Sequence, residues 1–111
     1  MNSYDGNANV VIVAYRPKRG MEGDLLQLTR EHLKVLRAEG LATDMPETVA
    51  TAQDGTIIEV FEWAPGAVVK AHSNPAVLAL WTRYAAACDI VPLKDVAEAG
   101  QMFASFRRTE L

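Results

Sequence analysis

The sequence predicts an α+β domain with the order strand, helix, strand, strand, helix, strand, on three observations. Runs rich in β-branched and apolar residues stand at Val10–Tyr15 and Thr56–Trp63. Apolar residues recur at helical spacing over Glu22–Glu39 and again after Asn74-Pro75. Asp54-Gly55 separates two strand-like runs, the dipeptide favoured in two-residue hairpins. The order is that of the ferredoxin-like βαββαβ pattern, a four-stranded antiparallel sheet with both helices on one face.

Val10–Tyr15 is apolar on both faces and closed by Pro17 and Gly20, as expected of a central strand. In the helix that follows, Leu25, Leu28, His32 and Leu36 share a stripe with Leu26 and Leu33 beside it. Glu22 and Asp24 suit its first turn, Lys34 and Arg37 its last, and Gly40 ends it. Thr48–Gln53 and Thr56–Trp63 form the hairpin, and a type I′ turn at Asp54-Gly55 places Thr51 opposite Ile58 and Val49 opposite Val60. One face of that ribbon then carries Val49, Thr51, Ile58 and Val60, and the other Ile57, Glu59, Phe61 and Trp63. Ala67–His72 makes about two helical turns; Ser73-Asn74-Pro75 caps a second long helix with Val77, Leu80, Trp81, Tyr84 and Cys88 on its stripe. Val91-Pro92 stops that helix, Lys94–Ala99 forms a further turn, and Met102–Arg107 is the last strand.

The 111 residues make one domain, 1–111, with 1–8 as a polar tail. Half the residues are apolar and 23% are charged, so a packed core is expected rather than disorder. The net charge is −3 with no basic stripe, which argues against nucleic acid as a partner. No stretch has the length and apolarity of a membrane span and the N-terminus lacks a signal pattern, so a soluble, cytoplasmic protein is expected. The single Cys88 can form no internal disulfide, and no metal-ligand spacing or phosphate or dinucleotide loop occurs, so neither metal nor cofactor is expected. With both helices on one face, the face bearing Ile57, Glu59, Phe61 and Trp63 is expected to lie bare in a monomer and to be covered in a homodimer.

Candidate chemistry lies in two histidines and one strand carboxylate. His72 sits at a break between helices; it is either a capping or surface imidazole or a side chain aimed into a cavity. His32, on an apolar stripe, is expected as a core histidine bonded to backbone or to a carboxylate. Glu59, among Ile57, Phe61 and Trp63, is either a general base with a pKa raised by desolvation or the structural partner of Arg16, Arg107 or an arginine of a second subunit. Phe61, Trp63, Trp81 and Tyr84 are core or interface residues, or the walls of an aromatic pocket. A small, mostly apolar cavity between sheet and helices near Trp63, His72, Trp81 and Glu59 is the expected functional site.

At Phe61-Glu62-Trp63, then Ala71-His72-Ser73-Asn74-Pro75-Ala76-Val77 and Leu80-Trp81, the chain resembles the antibiotic biosynthesis monooxygenase-like (ABM) family. The resemblance runs from Val10 to Arg107 and implies a dimeric α/β barrel, a ferredoxin-like dimer whose sheets face each other around small cavities. It implies a cofactor-independent monooxygenase acting on a small aromatic or quinol-like molecule, with His72 or Glu59 removing a proton and Trp63, Phe61, Trp81 and Tyr84 holding the ring. The alternatives are a non-catalytic, small-molecule-binding or stress-linked homodimer using the same pocket, and a dimer whose interface is purely structural.

Overall fold

β1 (Asn9–Pro17) and β3 (Ile57–Trp63) take the middle of the sheet, because their alternating side chains are apolar on both sides and can be covered on both. They pair antiparallel in a register that sets Val11 opposite Phe61, Val13 opposite Glu59 and Tyr15 opposite Ile57. The computed structural model describes residues 7–111, so Met1–Gly6 of the expected polar tail lie outside the described residues. β2 (Thr48–Thr51) flanks β3, β4 (Cys88–Val91) flanks β1, and β5 (Arg107–Arg108) adds to β2. The five strands lie in the order β4-β1-β3-β2-β5 with every pair antiparallel, an α+β arrangement compatible with a ferredoxin-like fold.

Among the described residues three α-helices complete the fold. α1 (Glu22–Ala38) carries acidic residues in its first turn and Arg37 in its last, as its dipole prefers. α2 (Ala67–Ala71) is a short piece that leads into α3 (Pro75–Ala87). Asn74 caps α3: its side-chain oxygen accepts from the amides of Ala76 and Val77 at 3.0 and 3.2 Å, and Pro75 fills the first helical position.

The fourth strand is not Met102–Arg107. The chain leaves α3 at Cys88, whose φ of −155° and ψ of 171° are extended, and Cys88–Val91 pairs at once with the free edge of β1. Two β-branched residues, Ile90 and Val91, favour that state, and Pro92 ends it. Of the expected last strand only its final residue, Arg107, joins the sheet, opposite Thr51, and Arg108 beyond it pairs with Ala50.

The hairpin also differs by one residue. The amide of Ala52 donates to the Thr56 carbonyl at 2.8 Å and that of Gly55 to the Ala52 carbonyl at 3.0 Å, so the loop is Gln53-Asp54-Gly55, three residues rather than two. Only Gly55 takes a positive φ, +92°; Asp54 instead uses its carboxylate to accept from the Thr56 amide at 2.9 Å, a local bond that the type I′ geometry does not require. Val49 therefore stands opposite Glu59, and Thr51 opposite Ile57. A one-residue slip exchanges the faces of a strand, so Val49 and Thr51 join Ile57, Glu59 and Phe61 instead of Ile58 and Val60.

That shared face is the one the helices cover. Leu25 and Leu28 of α1 with Leu80 and Tyr84 of α3 pack on Tyr15, Val49 and Ile57, while Leu33, Leu36 and Val77 pack around Phe61. The expectation that Ile57, Glu59, Phe61 and Trp63 form a bare dimer face is thus overturned: Ile57, Glu59 and Phe61 are buried beneath helices of their own chain. The opposite face is partly roofed by two 3₁₀ turns, Leu93–Asp95 and Ala97–Gly100, between which Val96 inserts on Ala14, Ala50, Ala52 and Ile58. Val10 and Ile12 on that face stay 57% and 48% exposed, and Met102 and Phe103 stand in solvent beyond the second turn. No helix among the described residues is long and apolar enough to cross a membrane.

Candidate functional site

Two polar groups that sequence places in apolar surroundings meet in the core. Glu59 points from β3 toward the helices, His32 points from α1 toward the sheet, and they are 0% and 3% exposed. Neither could stay there alone, since an isolated buried polar group costs several kcal/mol, on the order of 2–7. The imidazole Nδ1 lies 2.9 Å from one Glu59 oxygen and 3.2 Å from the other. Tyr15 on β1 donates its hydroxyl to Glu59 Oε1 at 2.7 Å.

The far side of the imidazole fixes the tautomer. The Trp81 indole N–H, which can only donate, points at His32 Nε2 across 3.4 Å. Nε2 is then the lone-pair nitrogen and Nδ1 carries the hydrogen donated to Glu59. Three rings lock the imidazole edge to face: Phe61 at 5.5 Å, Tyr84 at 5.3 Å and Tyr15 at 6.4 Å. Behind them, Tyr84 donates to Thr29 Oγ1 at 3.4 Å, and Thr29 bonds the Leu25 carbonyl at 2.8 Å.

His32, Trp81 and Tyr84 form one side of a cleft of about 260 Å³ between helices and sheet. Val11, Val13, Phe61 and Trp63 form the other, with Ile90, 64% exposed, at the rim. The lining is almost wholly apolar, so a planar hydrocarbon ring fits it chemically, and the imidazole is the ionisable group besides two tyrosines.

The electrostatics favour one negative charge in the cluster. Burial works to raise the Glu59 carboxyl, but hydrogen bonding, from His32 first and then from Glu47 and Tyr15, holds it below its ordinary value. Burial first, and then the Glu59 charge, push Tyr15 well above the ordinary tyrosine value; Tyr84 rises for the same two reasons. Glu47, just before β2, is pushed up to about 8 by burial and by its contact with Glu59. Cys88, buried beside Tyr84, is pushed up to about 11, again by burial first, and is an inert thiol at neutral pH.

Of the residues singled out in the sequence, Phe61, Trp63, Trp81 and Tyr84 all line the cleft, and Glu59 stands behind it through His32 and Tyr15. The partner of Glu59 is His32 rather than an arginine: Arg16 faces the other side, 3.6 Å from Asp54. His72 is exposed and outside the lining; its Nδ1 is 2.7 Å from the Val68 carbonyl, and its ring rests on Trp81 at 5.3 Å. The imidazole in the cleft is His32, which the sequence marked only as a core residue. The signal for its role was present: a histidine on one apolar stripe and a glutamate on one apolar strand face each need a buried polar partner. Tyr15 and Glu47 were not foreseen in the site. Among the described residues no group of three or more His, Cys, Asp or Glu side chains is placed to hold a metal ion. No family model matches the chain, and neither the curated proteins nor the solved structures compared with it give a match.

Proposed function

We propose that this chain is an ABM-like, cofactor-independent monooxygenase of a small quinol-like or aromatic molecule, with the Glu59–His32 pair as its base. The observation that carries this reading is the lone-pair nitrogen of an oriented imidazole opening on an apolar, aromatic-lined cleft. Glu59 holds the ring and balances the imidazolium that forms when Nε2 takes a proton, as the carboxylate does in other carboxylate–histidine pairs. Phe61, Trp63 and Trp81 sandwich the ring of the ligand, and the Trp81 N–H, released from Nε2, is a donor for the developing oxyanion.

The reaction balances with molecular oxygen as the only co-reactant. His32 removes a proton from an acidic C–H or O–H, the delocalised anion passes one electron to oxygen, and the two radicals join as a peroxide. Loss of water, with the proton returned from His32, leaves a carbonyl where a CH₂ stood. His72 has no step in it. Oxygen uptake with a panel of quinols and anthrones is the test: consumption of one oxygen per carbonyl formed supports the reading. A ligand-induced rise in melting temperature without uptake by any compound instead supports the binding-only alternative.

The same reading includes a cytoplasmic homodimer. Support comes from the uncovered part of the sheet, Val10 and Ile12, together with Met102 and Phe103, which are 95% and 87% exposed on an arm that a second copy can receive reciprocally. Sedimentation at micromolar concentration is expected to give twice the chain mass, and Ile12→Asp to give the monomer. A monomeric parent removes the dimer from the proposal.

A further inference from the structure

A second cavity, of about 370 Å³, lies where β5 carries the sheet one strand beyond those on which α1 packs. Its floor is apolar, formed by Leu25 and Leu26 of α1 and Ile57 of β3, with Pro17 beside them. Register decides what stands over that floor. Arg107 lies opposite Thr51, which in turn lies opposite Ile57, so the Arg107 side chain projects on the face that the helices cover. Thr109, two residues on, shares that face: its hydroxyl bonds that of Thr51, and its amide donates to the Val49 carbonyl at 2.8 Å, which fixes this wall. Across the cavity, Glu22 stands one turn before Leu25 and Leu26 on the same face of α1.

The fold uses neither of these two charges. Among the described residues, the Arg107 guanidinium and the Glu22 carboxylate make no hydrogen bond or ion pair, whereas Arg108 next to them is matched by Glu110 at 3.6 Å. A ligand with a single charge answers one of the two and sets its own charge near the other, of like sign; a zwitterion answers both. We propose that this cavity binds a free α-amino acid with an apolar side chain. Its carboxylate lies on the Arg107 fork, its ammonium on Glu22, and its side chain on Leu25, Leu26 and Ile57. The volume takes a branched or aromatic side chain, and the threonine hydroxyls of the wall, already bonded to each other, leave a polar one without a partner. This cavity and the aromatic cleft share no lining residue, so the site stands whether or not the cleft carries out the proposed oxidation.

Amide NMR of the full chain, titrated with L-leucine, tests the proposal. Saturable shifts are expected at Leu25, Leu26, Ile57 and Arg107. Isocaproate, which lacks the ammonium, and isoamylamine, which lacks the carboxylate, are each expected to bind about 10-fold more weakly or worse, the effect of losing one charge-assisted hydrogen bond. Arg107→Gln and Glu22→Gln are each expected to weaken leucine by a similar factor while the melting temperature stays near the parent value, since neither side chain has a partner to lose. L-serine, with the same charges and no apolar side chain, is expected not to saturate. No saturable shift with L-leucine or L-phenylalanine overturns the inference. So does isocaproate or isoamylamine binding as well as leucine, unchanged affinity in either glutamine variant, or shifts confined to Trp63 and Trp81 of the cleft. The single-charge ligands are read on the parent chain, so the test holds even where a variant fails to fold.

Discussion

Replacing His32 by glutamine is expected to lower turnover of whichever panel compound is consumed by about 10²-fold or more, the usual effect of losing a general base. Glutamine keeps an N–H that reaches toward Glu59 and fills much of the volume enclosed by Phe61, Tyr84 and Tyr15, so the melting temperature should move by only a few degrees. A fold-neutral loss of rate separates chemistry from packing. Trp63→Ala, on the opposite wall, is expected to act mainly on KM, because it removes ring contacts made equally in ground and transition states. His72→Ala is the control: its ring lies outside the cleft and its bond is to the Val68 carbonyl, so turnover should stay near the parent value. Full activity in His32→Gln would end the assignment of the base.

Most elements were legible because each carries its own period: both central strands, α1 and α3 follow directly from apolar spacing. What sequence could not decide was which sheet face the helices cover. Asp54-Gly55 serves a two-residue loop and a three-residue loop equally well, and the choice between them reverses β2 against β3. β4 was hidden for another reason: four residues following a helix without a break carry little strand signal, and the free edge of β1 settles their state. The site divides in the same way. Glu59 and His32 each announced themselves as polar residues in apolar patterns, but their meeting depends on the face that was misassigned. Glu47 gave no signal, since after Pro46 it reads as a solvated loop residue; contact with Glu59 and the C-terminal segment beside β2 partly buries it.

The largest loss of stability is expected from Glu59→Leu. That change takes away the acceptor for the Tyr15 hydroxyl and the His32 Nδ1–H, both in a region closed to water. Removing one partner of a buried charged pair costs about 3–5 kcal/mol, because the groups left behind pay their desolvation unrewarded. Removing the orphans as well should recover much of it, so Tyr15→Phe/His32→Leu/Glu59→Leu is expected to be more stable than Glu59→Leu alone, as apolar replacement of buried ion pairs often is. Urea unfolding measures both, and additivity of the single changes would show that the cluster is not one network. The pH dependence checks the signs. Glu59 lies below its ordinary value, so the stability it contributes is present above the usual carboxylate range and lost as pH falls through its folded value. Glu47 lies above its ordinary value, so its contribution is complete at low pH and lost as pH rises from the usual range toward about 8. The parent should therefore be most stable on the mildly acidic side of neutrality, and Glu47→Gln should flatten only the alkaline slope.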